Sequence, residues 1–157
     1  MIASGFGIAA QLPYLKKLMH GYNSCKARTR RVHLVWKLQS LSLATAIEEL
    51  LNAALVDDTL DDGYILMIST YIEDLHKIDN LSPRATVIKG SPDLKKIIQD
   101  EAEGKYIKRV QKEAKRRETM LVLVSASSQL GKETRQIIRN YVNDRIEVKE
   151  LDYQLHD

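Results

Sequence analysis

Short apolar runs alternate with longer segments of helical periodicity along this chain, and that alternation is the strongest constraint on its fold. Runs rich in β-branched and aromatic residues predict strands, and apolar positions three and four apart predict helices. Strands separated by helices of about ten or more residues form right-handed βαβ units and a mostly parallel sheet. The predicted strands cover 31–38, 63–72, 85–89, 119–125 and 146–151, and the predicted helices cover 8–20, 43–55, 93–102, 105–118 and 127–142.

The order of these elements predicts an α/β fold, specifically a three-layer Rossmann-like domain with a mostly parallel sheet. The run at 63–72 is almost wholly apolar, as expected for a strand that is covered on both faces. The 157 residues are enough for one domain with a sizeable core, so we expect a single domain over 1–157. Its first strand is predicted to be truncated, because only Met1 to Ser4 precede the first turn.

Composition excludes several classes of protein. Lys and Arg number 24 against 21 Asp and Glu, so charge alone does not favour nucleic acid as a partner. No run has the length of a membrane span, and no signal peptide is visible. Cys25 is the single cysteine, which fits a reducing, cytoplasmic compartment. The histidines lack metal-ligand spacing and the serines lack a G-x-S-x-G elbow, so neither a metal site nor a hydrolase is predicted.

A glycine-containing turn lies where the first strand meets the first helix, in the run Ser4-Gly5-Phe6-Gly7-Ile8-Ala9-Ala10. Gly5 permits a sharp turn, and Gly7, which has no Cβ, permits a pyrophosphate to approach the backbone. The start of the helix offers N–H groups and a partial positive charge to an anion. A lone G-x-G-x-x-A match is also typical of a plain tight turn, but its place between strand and helix favours a dinucleotide site.

Four segments together carry a resemblance to a known family: 4–14, 33–36, 121–125 and 151–153. They resemble the NADPH-binding domain of the ferredoxin–NADP reductase superfamily, and more narrowly its fungal ferric reductase and NADPH oxidase branch. The resemblance implies the fold of the C-terminal domain of these reductases and a role in which NADPH gives a hydride to FAD. Electrons would then pass through haem to ferric iron or oxygen, which connects the family with iron transport. FAD and haem would be held by flavin and membrane domains that these residues do not contain.

The same resemblance assigns binding residues at two places. The residues that match the turn holding the pyrophosphate and bordering the nicotinamide are Ser4, Gly5, Phe6, Gly7, Ile8 and Ala9. Ser91, Pro92 and Asp93 match a segment that lines the adenosine side, with Ser91 where relatives have arginine.

Two further matches concern the nicotinamide and the flavin. Ser125 and Ala126 stand where the family commonly has a Cys-Gly pair facing the nicotinamide, so the sulfur is missing here. Ser4 and Ser125 are therefore the candidate catalytic residues that the resemblance implies. Tyr153 is the nearest match to an aromatic residue that covers the flavin in relatives.

The end of the second predicted strand favours NADPH over NADH. NAD-preferring folds place an acid there to bind the ribose hydroxyls, but this strand ends in Trp36-Lys37-Leu38-Gln39. Lys37 is predicted to pair with the 2′-phosphate and Trp36 to stack on the adenine. The alternative is that Trp36 belongs to the core and Lys37 is a solvated edge residue.

Basic clusters at 28–31 and 108–117 are typical of solvated surfaces, the alternative being that they steer an anionic cofactor or touch a membrane. The predicted location is the cytoplasm, or the cytoplasmic face of a membrane within a full-length reductase. The resemblance implies that the chain alone lacks a hydride acceptor and is inactive. A second hypothesis is a non-catalytic module that binds a nucleotide or a partner, and a third is a fragment that folds poorly because its first strand is short.

Overall fold

The computed structural model describes residues 1–59, 64–73, 84–107, 119–140 and 145–151. The strands in these ranges are β1 (Ile2–Ser4), β2 (Val32–Leu38), β3 (Leu66–Ile72), β4 (Ala85–Lys89), β5 (Met120–Ser125) and β6 (Ile146–Glu150). The α-helices are α1 (Ile8–Asn23), α2 (Leu41–Val56), α3 (Leu94–Ala102) and α4 (Ser128–Asn140). A single 3-10 turn, Gly5–Gly7, joins β1 to α1.

The six described strands form one parallel sheet in the order β4-β3-β2-β1-β5-β6. With helices on both faces, this is the predicted α/β architecture of three layers and a Rossmann-like fold. From β1 the chain builds outwards through β2 and β3 to β4, and later returns to β1 to add β5 and β6 on its other side. The order therefore reverses between β1 and β5, and ligands of such sheets bind beside the carboxyl ends of the strands at that switch point.

Two apolar clusters hold the layers together. On one face, α1 and α2 pack on the sheet through Leu15, Met19, Leu51 and Leu55. On the other face, the buried residues that α3 and α4 contribute are Leu94, Ile98 and Leu130. Strand β2 serves both clusters because successive side chains of a strand point to opposite faces. Leu34, Trp36 and Leu38 join the first cluster and Val35 joins the second.

Helix α1 begins at the predicted residue, Ile8, and extends further at its end than the sequence predicts. Pro13 lies inside the helix. The helix passes through Gly21, the first residue after the predicted segment, and ends at Asn23. The left-handed residue after its end is Cys25, which is exposed and has φ 55°.

The predicted helix over 105–118 is wrong at its start. Residues 103–106 form a turn after α3, in which the ammonium of Lys105 pairs with Asp100 at 3.1 Å. Residues 108–118 lie outside the described part of the chain, so the rest of that prediction is untested.

Candidate functional site

The carboxyl ends of β1 and β5 bring together two serine-containing segments that are far apart in sequence. Ala3 of β1 is the register partner of Ser125 at the end of β5. The Ser4 hydroxyl oxygen accepts a hydrogen bond from the backbone N–H of Ser127 at 2.6 Å. The Ser125 hydroxyl donates to the Gly7 carbonyl at 2.7 Å. The two candidate catalytic residues, Ser4 and Ser125, thus both lie at the switch point.

The glycines of the turn have different structural roles. Gly5 has φ +49°, and a Cβ added to it would meet nothing within 4 Å, so the predicted sharp turn is present and one side of it is open. A Cβ on Gly7 would lie 2.0 Å from the carbonyl oxygen of Ser125. The reason predicted for Gly7 is therefore corrected. Its missing side chain makes room for the end of β5, and Gly5 is the glycine with space beside its backbone.

Within the described ranges, the start of α1 has no side-chain cap, and its first turn carries no acidic residue. The first N–H groups of a helix have no partner inside the helix and carry partial positive charge. Ala9 is exposed here and Phe6 is 57% exposed, whereas the Ile8 side chain belongs to the core. Ile8 therefore contributes no side chain to a site, and its backbone N–H already donates to the Phe6 carbonyl.

Trp36 is fully buried, at 0% exposed, and its indole N–H donates to the Gly5 carbonyl at 2.9 Å. A ring in this position has no free face for an adenine. The predicted stacking role of Trp36 is therefore wrong, and the alternative of a core residue fits the structure. Because helices cover both faces of the sheet, an aromatic side chain in a central strand packs against a helix and does not extend into solvent. Its hydrogen bond holds the glycine turn against the core.

We expect Trp36→Phe to lower the free energy of unfolding by about 1–2 kcal/mol, because it removes the donor to the Gly5 carbonyl and leaves a small void. Urea unfolding followed by circular dichroism measures the change. Tyr14→Phe, at an exposed position on α1, is the control and should change stability by less than about 0.5 kcal/mol. Equal stability of the Trp36→Phe variant and the wild type would contradict this role.

Lys37, which is predicted for the adenosine side, has a carboxylate partner that the sequence did not reveal. Its ammonium lies 2.8 Å from Oε1 of Glu73, the first residue after β3. The Ser91 hydroxyl donates to the same oxygen at 3.4 Å. The hydrogen bond from Lys37 lowers the pKa of Glu73 below its ordinary value. The structure thus joins two predicted site residues, Lys37 and Ser91, through Glu73.

The other two residues predicted for the adenosine side lie at the start of α3. The Asp93 carboxylate caps this helix by accepting the N–H of Lys96 at 3.0 Å. Pro92 is buried, while Ser91 and Asp93 are exposed. Burial and the nearby Asp93 charge raise the pKa of Tyr71, the register partner of Lys37. Asp93 therefore has a structural role whether or not a ligand binds nearby.

A buried polar network lies on the opposite side of the sheet from the switch point, at the amino ends of the strands. Arg31, predicted to be a solvated loop residue, instead pairs with Glu101 of α3 at 3.0 Å. His33 Nδ1 lies 2.8 Å from Glu101 Oε1, and His33 Nε2 lies 2.8 Å from the Ser69 hydroxyl. Burial raises the pKa of Glu101, but hydrogen bonds from His33 and Arg31 outweigh it and lower that pKa to about 2. The network ties the end of α3 to β2 and β3.

The order Ser69, His33, Glu101 is that of a hydrolytic triad, but the position of the serine argues against catalysis. Ser69 is 4% exposed and lies in the middle of β3, between register partners Val35 and Thr86. The backbone of Ser69 is part of the sheet. Its N–H is therefore not free to donate to an oxyanion, as backbone N–H groups near a catalytic nucleophile do. We therefore assign these residues to the packing of α3.

A basic concavity of about 410 Å³ lies on α4, where it is lined by Lys132, Arg135, Gln136, Arg139 and Asn140. All five residues belong to one helix, and Arg135 pairs with Glu150 at 3.0 Å. A row of charges on one helix is typical of a solvated face. We place the candidate site at the switch point, where segments of several elements converge.

No protein-family model matches this chain, and no curated protein matches its sequence. Among the described residues, no group of three His, Cys, Asp or Glu side chains is placed to hold a metal ion. None of the helices in the described ranges is long and apolar enough to cross a membrane. Tyr153, the predicted flavin cover, lies outside the described residues. The geometry of the switch point is therefore the feature that bears on function.

Proposed function

We propose that this chain is a pyridine-nucleotide-binding domain that takes NADPH and serves a ferric reductase-like flavoprotein. One observation carries the proposal: the Gly5–Gly7 turn and the uncapped start of α1 lie together where β1 and β5 part. A pyrophosphate needs backbone N–H donors, positive potential and freedom from side chains. The start of α1 supplies the first two, and Gly5 supplies the third.

Each part of the dinucleotide has a proposed place. The pyrophosphate lies over the backbone from Gly5 to Ala9, and the adenosine side reaches towards Lys37, Ser91 and Asp93. The nicotinamide lies beside the ends of β1 and β5. Bound NADPH would supply a hydride to FAD held by a separate flavin domain, and haem in a further domain would pass the electrons on to ferric iron or oxygen. The work of this chain is to bind and orient the donor.

The two serines make different contributions at the nicotinamide end. Ser4 Oγ accepts the Ser127 N–H, so among the described contacts its own hydroxyl proton is left to donate to a ligand carbonyl. Ser125 already donates to the Gly7 carbonyl and is 2% exposed. Ser4 is therefore the serine that touches the nicotinamide, and Ser125 positions the turn.

A second candidate function is a binding module without redox turnover. The observation that favours it is the end of β5, where Ser125-Ala126 leaves no thiol facing the nicotinamide and the Ser125 hydroxyl is engaged by Gly7. Such a module binds NADPH equally well but transfers no hydride when free flavin is added. A reductase domain turns over once a flavin domain is supplied.

Calorimetric titration with NADPH and with NADH, at low and at physiological salt, tests the proposal. Gly5→Ala is the site variant, because its methyl group occupies the open side of the turn. Gly104→Ala is the matched control, since Gly104 has a similar φ of +64° but follows α3 at the opposite edge of the sheet. We expect the wild type and Gly104→Ala to bind NADPH alike and Gly5→Ala to bind it at least about tenfold more weakly.

Circular dichroism establishes that each variant is folded before its affinity is compared. The proposal fails if folded wild-type chain binds neither nucleotide, or if Gly5→Ala and Gly104→Ala bind NADPH with the same affinity.

A further inference from the structure

The Lys37–Glu73 pair lies beside the proposed binding position of the adenosine ribose. Lys37 is the register partner of Ser4, the residue that opens the glycine turn, so the two backbones are one strand spacing apart. Leu38 and Ile72 are also register partners, which brings the residue after β3 next to the end of β2. The sheet thus places the Glu73 carboxylate, which follows β3, at the position where NAD-binding folds use a carboxylate at the end of β2.

The pair presents two charges to a ligand rather than one. Lys37 is 29% exposed and Glu73 is 53% exposed, so both can meet a ligand from solvent. Glu73 Oε1 already has two donors, the Lys37 ammonium at 2.8 Å and the Ser91 hydroxyl at 3.4 Å. A phosphate that approaches Lys37 therefore meets a carboxylate at the same point.

We propose that Glu73 competes with the adenosine 2′-phosphate for Lys37 and thereby sets how strongly the site prefers NADPH. This inference rests on the proposed function. To bind Lys37, the 2′-phosphate must displace the Glu73 carboxylate, and a like charge a few ångströms away opposes its approach. A ribose that carries a 2′-hydroxyl instead brings no charge to this point and leaves the ion pair intact. Glu73 thus weakens binding of the phosphorylated nucleotide and spares the unphosphorylated one.

Glu73→Gln tests the inference, because it removes the charge and keeps the shape of the side chain. Glu147→Gln is the matched control, since Glu147 is an exposed residue of β6 at the far edge of the sheet and loses the same charge. Titrations with NADPH and with NADH are compared at one low ionic strength. We expect Glu73→Gln to bind NADPH at least about fivefold more tightly than Glu147→Gln does, and NADH within about twofold of it.

Lys37→Met provides the complementary measurement. It removes the cation for which the two anions compete, so we expect NADPH affinity to fall about tenfold and NADH affinity to change by less than about twofold. Glu73→Gln in the Lys37→Met background should then raise NADPH affinity by less than it does alone.

The possible outcomes separate this inference from the proposed function. If both nucleotides bind the wild type and Glu73→Gln matches Glu147→Gln, the competition is overturned while the dinucleotide site stands. If Glu73→Gln instead weakens NADH more than about fivefold, Glu73 is a ribose ligand and the competition is again overturned. If a folded wild type binds neither nucleotide, the inference and the proposed function both fail.

Discussion

Gly7→Ala should lower the free energy of unfolding by about 3 kcal/mol or more, because overpacking against fixed backbone has no inexpensive relief. The added Cβ would lie 2.0 Å from the carbonyl oxygen and 2.8 Å from the carbonyl carbon of Ser125. Both are main-chain atoms of a central strand, so either α1 or β5 must move. Equilibrium unfolding in urea, followed by circular dichroism, measures the loss.

Gly131→Ala is the control for this substitution. Gly131 lies inside α4, and a Cβ there would meet nothing within 4 Å. Alanine in an open helical position should raise stability by about 0.5–1 kcal/mol. If Gly7 matters only for a bound pyrophosphate, then Gly7→Ala would keep wild-type stability and lose only nucleotide affinity. That result would contradict our account of Gly7 as the point where the turn packs against β5.

Glu101→Gln should destabilise the fold by about 3 kcal/mol at neutral pH, because it leaves the partly buried Arg31 and His33 without their carboxylate. The two residues lie in β2 or just before it, and Glu101 fixes the far end of α3 against them. Glu103→Gln, an exposed change on the next turn, is the control and should cost less than about 0.5 kcal/mol. Urea unfolding of the three proteins at pH 7 compares them.

The same substitution should remove part of the acid sensitivity of the protein. The pKa of Glu101 is lowered from 4.5 to about 2 in the folded chain. Between those values the unfolded chain binds the proton and the folded chain does not, so stability is fully present above pH 4.5 and is lost as the pH falls towards 2. A shift of this size corresponds to at most about 3 kcal/mol. Glu101→Gln should show a flatter loss over that range, and an unchanged acid limb would contradict the assignment.

Sequence periodicity predicts most of the elements because each pattern is local. The strand predicted at 85–89 is observed as Ala85–Lys89, and the helix predicted at 93–102 as Leu94–Ala102. The glycine turn is equally predictable, because a positive φ at Gly5 follows from the residue type and its place between a strand and a helix. The continuation of α1 beyond Gly21 is not predictable in this way, because packing of the buried face of the helix outweighs the weak stop signal of one glycine.

The side-chain predictions that the structure corrects concern partners that are distant in sequence. Gly7 is constrained by Ser125, 118 positions away, and Arg31 by Glu101, 70 positions away. Glu73 reaches Lys37 only because β2 and β3 are paired in a particular register. Trp36 was ambiguous because aromatic residues occur both in cores and in stacking sites, and only the covered sheet face decides between them. Local patterns therefore predict where the site lies but not which side chains are free to act in it.

The hydrogen bond from Trp36 to the Gly5 carbonyl makes the chain's single tryptophan an intrinsic optical sensor of the glycine turn. Because the indole is shielded from solvent, a nucleotide in the proposed site would alter its emission only by moving the carbonyl to which it donates, not by stacking on it. A shift in the emission maximum on adding nucleotide therefore measures movement of the turn. Binding to a turn that is already in its final shape should release heat in the calorimeter while the tryptophan spectrum stays constant.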